Sequence, residues 1–326
     1  MTLSPVIGAF GLAMVLACYS SSALAQAPSV PIYQEGTGQH PENTAKKEAA
    51  ELRRAGALLK METVQEQLSS RTSCSIVLPK PNTQPLSPRE LWERARKAHM
   101  RVGWYVEEKK AKPEPGKSPK HWTFNLSGGY VLTADGAVVT CYHVAAPIDD
   151  DNKHAYLIAV DDDEHVYPVT EILAANSETD TCILRIKGEH LTPLPLAADV
   201  EPGDHIGCFS EPMGKRGYYT DGIVNRYYQK PLTPTKKGEA APEHSPVWVE
   251  VSSDWAMGSS GSAVLDNKGN SIGHVSEIAP VVDDQSDLPQ KKRNLFPGTL
   301  IIFHQAIAAS EVTRLIDSGK GGVTQR

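Results

Sequence analysis

The sequence predicts an all-β fold, a barrel or a sandwich, with helices at both ends. Between Met100 and Leu265 the chain passes through short stretches rich in β-branched and aromatic residues, each bounded by turn residues. The 24 prolines and 25 glycines are spread along the 326 residues without a repeat, which suits many strands joined by turns. Helical patterns occur only before Met100 and after Gln305.

The composition is that of an ordinary globular protein and argues against a nucleic-acid partner. Lys and Arg number 33 against 39 Asp and Glu, a formal net charge of −6, and 40% of the residues are hydrophobic. Nucleic-acid binding needs a basic face, which this balance does not provide. The histidines lack a repeated ligand spacing, so neither a metal nor another cofactor is expected; those considered are His121, His154, His165 and His205.

The first 25 residues have the architecture of an export signal. They contain no Asp, Glu, Lys or Arg, and an apolar run from Val6 to Ala17 is followed by small residues ending at Ala25. This run is short for a membrane span of about 20 residues, so cleavage and export to the periplasm or the exterior are predicted. The alternative is a lipoprotein signal, because Val15 to Cys18 is similar to a bacterial lipobox and would leave a lipid anchor on Cys18. No other segment is expected to span a membrane.

Four cysteines remain after the signal: Cys74, Cys141, Cys182 and Cys208. An even count in an oxidising compartment is compatible with disulfides, and four cysteines allow three pairings. Their spacing lacks the paired cysteines of a zinc site. Disulfides and buried free thiols therefore both remain open.

Residues 26–86 are predicted to form a flexible leader and a helical extension. Gln26 to Gln39 is rich in Pro, Gly and Gln, as flexible segments are. From Pro41 to Ser70, small and apolar residues recur at three- and four-residue spacing, which predicts an amphipathic helix with a thin apolar stripe. Three roles for it are left open: a pro-segment, an oligomerisation helix or a mostly solvated helix.

The pattern then changes from helical to β. Ser87 to Glu90 form a capping box with Pro at the first helical position, so a short helix is expected to begin there. The clearest predicted strands are 100–106, 129–132, 138–140, 156–160, 166–172, 182–186, 206–209, 247–251 and 263–265. Three polar stretches are predicted to be long surface loops: 109–120, 230–245 and 283–297. A last helix is predicted at Ala306–Asp317, followed by a tail at 319–326.

Three short motifs carry side chains suited to nucleophilic catalysis. Gly258 to Gly261 lie between two strand-like runs, where a turn can present the Ser260 hydroxyl and point backbone N–H groups together as an oxyanion hole. His143 ends one apolar run and Asp180 precedes another, so each can face a cleft. Each motif alone is common in structural turns. Together they follow the order His, Asp, Ser, which is that of the chymotrypsin triad.

On these residues the chain resembles the trypsin-like serine peptidases, and most closely the HtrA (DegP-like) branch, over roughly residues 87–318. The Gly-rich strand and Asp-Gly turn at 127–136 lead into the histidine as in that family, and 179–185 is similar to its acid-bearing stretch. The segments 202–207 and 221–224 look like the family's next two strand starts. The resemblance implies two six-stranded antiparallel β-barrels of chymotrypsin type, at about 100–190 and about 200–305.

The resemblance also implies roles for individual residues. His143 matches the general base, Asp180 the acid that orients it, and Ser260 the nucleophile. The backbone N–H groups of Gly258 and Ser260 match the oxyanion donors, and Ser276 falls where some members place a hydroxyl that supports the acid. The implied function is a serine endopeptidase acting on protein or peptide substrates, without a cofactor.

The sequence departs from the family at three points. Ser262 replaces the second glycine after the nucleophile. Ser259 replaces the aspartate that pairs with a freed N-terminal amine in digestive trypsins, so that route of activation is not expected. The resemblance also ends about where HtrA proteins attach PDZ domains, and no PDZ domain is predicted.

Cleavage specificity is left open by the sequence. Asp254 lies six residues before Ser260, the position at which trypsins hold the acid that selects Lys or Arg. The HtrA branch instead prefers small aliphatic residues, and Asp254 can equally cap a turn.

One alternative function is a catalytically silent or latent member of this fold that acts as a binding module. A second alternative, an esterase of the α/β-hydrolase type, is disfavoured. That class needs Gly-x-Ser-x-Gly and the order Ser, acid, His, whereas His143 lies far upstream of Ser260.

Overall fold

The computed structural model describes residues 31, 33, 42–109, 120–147, 154–197, 199–232, 244–284, 286, 290–292 and 298–317. The predicted signal, Cys18, the tail and most of the flexible leader lie outside these residues, as does most of each predicted loop. Among the described residues, no helix is long and apolar enough to cross a membrane.

The N-terminal extension contains two helices where the sequence predicted one. The elements before the barrels are α1 (Glu42–Arg54), β1 (Leu59–Lys60), α2 (Met61–Ser70) and α3 (Pro88–Ala98). The helical pattern is interrupted at Gly56, whose φ of +68° is the left-handed conformation that commonly ends helices. The capping box at α3 is confirmed, because Ser87 and Glu90 exchange both of its hydrogen bonds.

The first barrel closes from six antiparallel strands. They are β2 (His99–Lys109), β3 (Lys120–Val131), β4 (Ala137–Thr140), β5 (Ala155–Val160), β6 (Val166–Asn176) and β7 (Thr181–Ile186), with the one-turn helix α4 (Tyr142–Ala145) after β4. They pair in the order β2-β3-β4-β7-β6-β5, and pairing of β5 with β2 completes the ring. The short β1 adds to the edge of β5.

The second barrel closes in the same way. Its strands are β8 (His205–Ser210), β9 (Tyr218–Gln229), β10 (Val247–Val251), β11 (Ala263–Asp266), β12 (Ser271–Val282) and β13 (Thr299–Ala308), followed by α5 (Ala309–Arg314). They pair in the order β10-β13-β12-β11-β8-β9, with β9 returning to β10. The predicted double-barrel fold is therefore confirmed.

The last helix is shorter than predicted and begins later. Ala306 still pairs with Val249 on β10 and with Val275 on β12, so these residues belong to β13. The helix starts only at Ala309 and ends at Arg314, whereas the alanine-rich sequence predicted a start at Ala306 and an end at Asp317. Strand pairing on both sides outweighs the helical propensity of the alanines.

The extension packs against the first barrel. The buried side chains of Met61, Val64 and Leu68 on α2 join the core of that barrel. The Gln67 side chain accepts a hydrogen bond from the Ile172 backbone N–H on β6, at 2.7 Å. The helical stripe is thus a packing face, and the mostly solvated helix among the predicted roles does not describe α2.

Residues 71–86 then run from the first barrel to the second. The Cys74 N–H donates to the Leu315 carbonyl just after α5, at 2.8 Å, and the Asp317 N–H donates back to the Cys74 carbonyl. The Leu86 N–H donates to the Asn267 carbonyl in the β11–β12 turn, also at 2.8 Å. This part of the extension ties the two barrels together.

All four cysteines considered for disulfides are free thiols in this structure. Cys141, Cys182 and Cys208 are buried, and Cys74 is partly buried. Burial raises the pKa of the Cys208 thiol to about 12, so it stays protonated at neutral pH. These thiols behave as small buried apolar groups.

Candidate active site

His143 lies at the end of the first barrel because α4 begins directly after β4. Its Nδ1 donates to the Asp180 carboxylate, at 2.9 Å from Oδ2 and 3.0 Å from Oδ1. Its backbone N–H also donates to Asp180 Oδ1, at 3.0 Å. The hydrogen bond to Asp180 raises the pKa of the imidazole above its ordinary value, against the opposing effect of partial burial.

Asp180 is held in place from several sides. It adopts φ = +46°, a conformation that is uncommon outside glycine. The Ser276 hydroxyl donates to Asp180 Oδ2 at 2.7 Å. Burial disfavours the charged form, but the hydrogen bonds from His143 and Ser276 outweigh it and hold the pKa of the carboxyl below its ordinary value.

Ser260 lies on a turn between β10 and β11 that is pinned to both barrels. The Ser260 carbonyl accepts hydrogen bonds from the Gly128 N–H at 2.8 Å and from the Ser127 hydroxyl at 3.0 Å, both on β3 of the first barrel. The Gly261 N–H donates to the Val275 carbonyl on β12, at 2.7 Å. The position of Ser260 therefore depends on how the two barrels meet.

The backbone around Ser260 presents free N–H groups. Gly258 has φ = +97°, and among the described residues neither its N–H nor that of Ser260 donates to another group. Ser259 points away from them, because it is fully buried and its hydroxyl donates to Ser210 Oγ at 3.1 Å. Two unpaired N–H groups beside a serine hydroxyl are the arrangement that an oxyanion needs.

Gly128 accommodates the unusual Ser262. A Cβ at position 128 would lie 2.1 Å from the Ser262 hydroxyl oxygen and 2.7 Å from its backbone nitrogen. The missing side chain on β3 thus leaves room for the Ser262 hydroxymethyl group.

The loop between β8 and β9 of the second barrel packs against the turn that carries Ser260. The Met213 N–H donates to the Met257 carbonyl at 2.6 Å, and a Cβ on Gly258 would lie 2.7 Å from the Glu211 carbonyl oxygen. The same loop carries Arg216, whose guanidinium lies 2.6 Å from Glu164 Oε1 on the first barrel.

This ion pair belongs to a buried group that links the two barrels. Arg101 on β2 also donates to Glu164, at 2.8 Å, and its Nε lies 3.7 Å from Glu211. Burial raises the pKa of the Glu211 carboxyl, and the nearby Arg101 and Arg216 act against that shift. Sequence reasoning missed this group because its members lie in separate segments.

Not all of the predicted site residues come together. His143, Asp180 and Ser276 form one hydrogen-bonded chain, and His143, Gly258 and Ser260 line a common cleft of about 600 Å³. Within the described part of the chain no hydrogen bond joins His143 to Ser260; such bonds are often long before substrate binds.

Asp254 lies apart from the cleft. Its side chain is 74% exposed, with Oδ1 3.7 Å from His304 Nε2, and it is not among the cleft's described lining. The structure therefore lends no support to Asp254 as a selector of Lys or Arg.

His274 is a site residue that the sequence did not reveal. It is fully buried on β12, and its Nε2 donates to the Asp180 carbonyl at 3.1 Å. Burial lowers the pKa of this imidazole, so it is neutral. Its position two residues before Ser276 was the available signal, since both side chains then lie on one face of the strand.

Among the described residues, one set of side chains has the closeness of a metal site. The ligand atoms of Cys141, His143 and Asp180 lie within 4.8 Å of one another. The Cys141 thiol, however, is fully buried, donates to the Val275 carbonyl at 3.1 Å, and has its pKa raised well above the ordinary value by burial. A protonated, hydrogen-bonded thiol is a poor metal ligand, so the set does not fit a metal.

Part of the chain matches a known protein family. A family profile described as a trypsin-like peptidase domain matches residues 127–273. A probable periplasmic serine endoprotease, DegP-like, from Pseudomonas fluorescens is 23% identical over 229 residues, covering 68% of this chain and 41% of that protein. The mitochondrial serine protease HTRA2 of Bos taurus is 29% identical over 148 residues, 44% of this chain and 30% of that one.

Two solved structures show a more distant likeness. The serine endoprotease from Yersinia pestis is 16% identical with a TM-score of 0.44, covering 71% of this chain and 66% of the other. The HtrA-type protease AlgW with decapeptide is 18% identical with a TM-score of 0.49, covering 69% and 65%. The alignments with the curated relatives span only 20% to 41% of the relatives' lengths. Residues 127–273 therefore form a trypsin-like peptidase domain, and the DegP and HtrA serine proteases are among the homologues of this chain.

Proposed function

We propose that this protein is an exported serine endopeptidase that cleaves protein or peptide substrates through an acyl-enzyme intermediate. The observation that carries the proposal is the hydrogen bond from His143 Nδ1 to Asp180 at the wall of the cleft that Ser260 also lines. Because the Nδ1–H is committed to the carboxylate, Nε2 is the free base nitrogen.

In the proposed acylation step, Ser260 Oγ attacks the carbonyl carbon of the scissile bond while His143 Nε2 takes the hydroxyl proton. The developing oxyanion is stabilised by the N–H groups of Gly258 and Ser260. Asp180 holds the imidazole in its orientation and stabilises the imidazolium. His143 then gives its proton to the leaving amine as the peptide bond breaks.

In the proposed deacylation step, water takes the place of the leaving amine. His143 removes a proton from the water, which attacks the acyl carbon, and the bond to Ser260 Oγ breaks as His143 passes that proton to the serine oxygen. Ser276 acts through Asp180, since its hydroxyl donates to the carboxylate oxygen Oδ2. Each proton taken up by His143 is returned within the cycle, so no cofactor is required.

Export is proposed from the first 25 residues and is supported by the relatives that are named periplasmic. The sequence supports both a cleaved signal and a lipid anchor at Cys18. Both locations lie outside the cytoplasm.

A second candidate function is a latent or silent protein that binds peptides without cleaving them. The observation that favours it is that, among the described residues, Ser260 is not hydrogen-bonded to His143. A stable peptide complex that shows no turnover would be its signature.

Active-site titration with a fluorescent fluorophosphonate separates the two candidates. The mature protein is compared with Ser260→Ala, His143→Ala and the matched control Ser69→Ala, whose hydroxyl is exposed on α2. Stoichiometric labelling of the wild type and the control, lost in the other two, is expected of the peptidase. A folded wild type that is not labelled, or a Ser260→Ala protein that is, overturns the proposal.

A further inference from the structure

The cleft beside Ser260 has an apolar character that the catalytic steps do not explain. Its described lining contains no Asp, Glu, Lys or Arg. Apolar residues contribute much of this lining, among them Val144 and Pro147 near His143 and Met213 and Met257 near Ser260, although Asn125 and Ser127 line it as well. A volume of about 600 Å³ is that of a ligand site.

Two methionines at its rim are unusually exposed. Met213 is 66% exposed and Met257 is 68% exposed, although both are large and apolar. Their segments are joined by the hydrogen bond from the Met213 N–H to the Met257 carbonyl. Flexible, exposed thioether side chains on two linked segments beside a cleft are suited to cover an apolar ligand group.

The direction of the proposed reaction tells which half of a substrate enters this cleft. The acyl half, which is the part of the substrate before the scissile bond, stays on Ser260 with its carbonyl oxygen towards the Gly258 N–H. The leaving half, which is the part after that bond, departs as an amine that must accept its proton from His143. The leaving half therefore lies on the side of His143. Val144 directly follows His143, and Leu126 lies on β3 next to the strand residues that bind the Ser260 carbonyl.

The acyl half has a different neighbour. Gly273 to Ser276 on β12 resemble the strand that pairs with the substrate backbone in trypsin-like peptidases, so the acyl half is expected to lie along β12. No residue of β12 is among the described lining of the cleft. The cleft thus belongs to the leaving half.

We propose that this cleft binds the substrate residue directly after the scissile bond and selects a large apolar side chain there. The inference rests on the proposed peptidase function and deepens it, because it names the substrate class. Placing Leu, Phe or Met against the apolar wall removes apolar surface from water, while a polar or charged residue would lose its hydration without a charged partner in the described lining.

Acyl transfer to amino-acid amides tests this inference without changing the acyl half. The p-nitrophenyl ester of N-acetyl-alanine acylates Ser260 and releases p-nitrophenol. An added amide then competes with water: its amine nitrogen bonds to the acyl carbon, the ester bond to Ser260 Oγ breaks, and the amine proton passes through His143 to that oxygen. The ratio of aminolysis to hydrolysis reports binding on the leaving side only.

We expect leucinamide to be favoured over asparaginamide, which is similar in size but polar, by about tenfold or more. Met213→Gln and Met257→Gln should each reduce that preference, and Val77→Thr, which changes an apolar side chain that is 92% exposed elsewhere, should keep it. The ratio of aminolysis to hydrolysis compares two reactions of the same acyl-enzyme, so it does not depend on the rate at which the acyl-enzyme forms.

The outcomes distinguish the inference from the proposed function. A p-nitrophenol burst that depends on Ser260, followed by equal partition to both amides, overturns the inference and leaves the peptidase proposal standing. A leucinamide preference that both methionine variants retain in full overturns the assignment to this cleft. Absence of any Ser260-dependent burst overturns the proposed function, and the inference falls with it.

Discussion

Gly261 directly follows Ser260, and a side chain there is expected to damage both the fold and the site. A Cβ at position 261 would lie 2.3 Å from the Gly128 carbonyl oxygen and 2.5 Å from Thr140 Oγ1. Thr140 Oγ1 donates to that carbonyl at 2.7 Å, and the Gly128 N–H donates to the Ser260 carbonyl at 2.8 Å. Relief of the clash in Gly261→Ala therefore displaces the strand that holds Ser260.

Two separate penalties act in this variant. Gly261 has φ = +90°, and holding a residue with a Cβ in such a conformation costs about 1–3 kcal/mol. Overpacking adds about 1–3 kcal/mol, so the free energy of unfolding is expected to fall by about 2–6 kcal/mol. Gly203→Ala is the matched control, because Gly203 has φ = +98° but no atom within 4 Å of a Cβ. It should show only the first penalty.

Urea unfolding, followed by tryptophan fluorescence, measures the difference between the two variants. The rate of fluorophosphonate labelling measures the effect on the site. A displacement of about 1 Å in a reacting group lowers the rate about 10²-fold, so Gly261→Ala should label at least that much more slowly and Gly203→Ala at the wild-type rate. Equal losses of stability in the two variants, or wild-type labelling by Gly261→Ala, would refute the packing argument.

Two further predictions concern the groups around Asp180. The rate of fluorophosphonate labelling should fall as the pH falls through the raised pKa of His143, above 6.5, because the base must be neutral. In Asp180→Asn this fall should occur at lower pH, and the labelling rate at high pH should be about 10⁴-fold lower. A fall at the same pH in both proteins, measured as a pH–rate series, would contradict the assigned pair. The pair stabilises the fold most between the lowered pKa of Asp180 and the raised pKa of His143, and this stabilisation is lost as the pH rises through the second or falls through the first. His274→Ala should reduce the free energy of unfolding by about 2–4 kcal/mol. His274→Gln keeps a donor for the Asp180 carbonyl and should lose less. Equal losses of unfolding free energy in the two variants, measured by urea unfolding, would contradict the hydrogen-bonding role of His274.

The parts of the fold that were predicted correctly are those with strong local patterns. The strands from Met100 to Leu265 show β-type runs bounded by turns, and α3 carries its own capping box. The order His143, Asp180, Ser260 became informative because it combined three weak motifs. The local sequence thus predicted these three residues as candidates for one site, but it did not predict the contacts that position them.

The features that were missed depend on contacts between distant segments. The length of β13 depends on pairing with β10 and β12, and alanine-rich sequence at its end reads as a helix in isolation. The charged group of Arg101, Glu164 and Arg216 joins three segments, and no spacing rule brings them together. His274 reads as an ordinary strand residue until the Asp180 carbonyl is placed beside it.

The support of the turn that carries Ser260 explains why these distant contacts matter. Ser260 is held by β3 through its carbonyl, whereas Gly258 is packed against the Glu211 carbonyl of the second barrel. Glu211 and Arg216 are in turn held by Arg101 and Glu164 of the first barrel. The proposed nucleophile and the proposed oxyanion donors thus share one turn that is held from both barrels, so a small change in how the barrels meet acts on both at once.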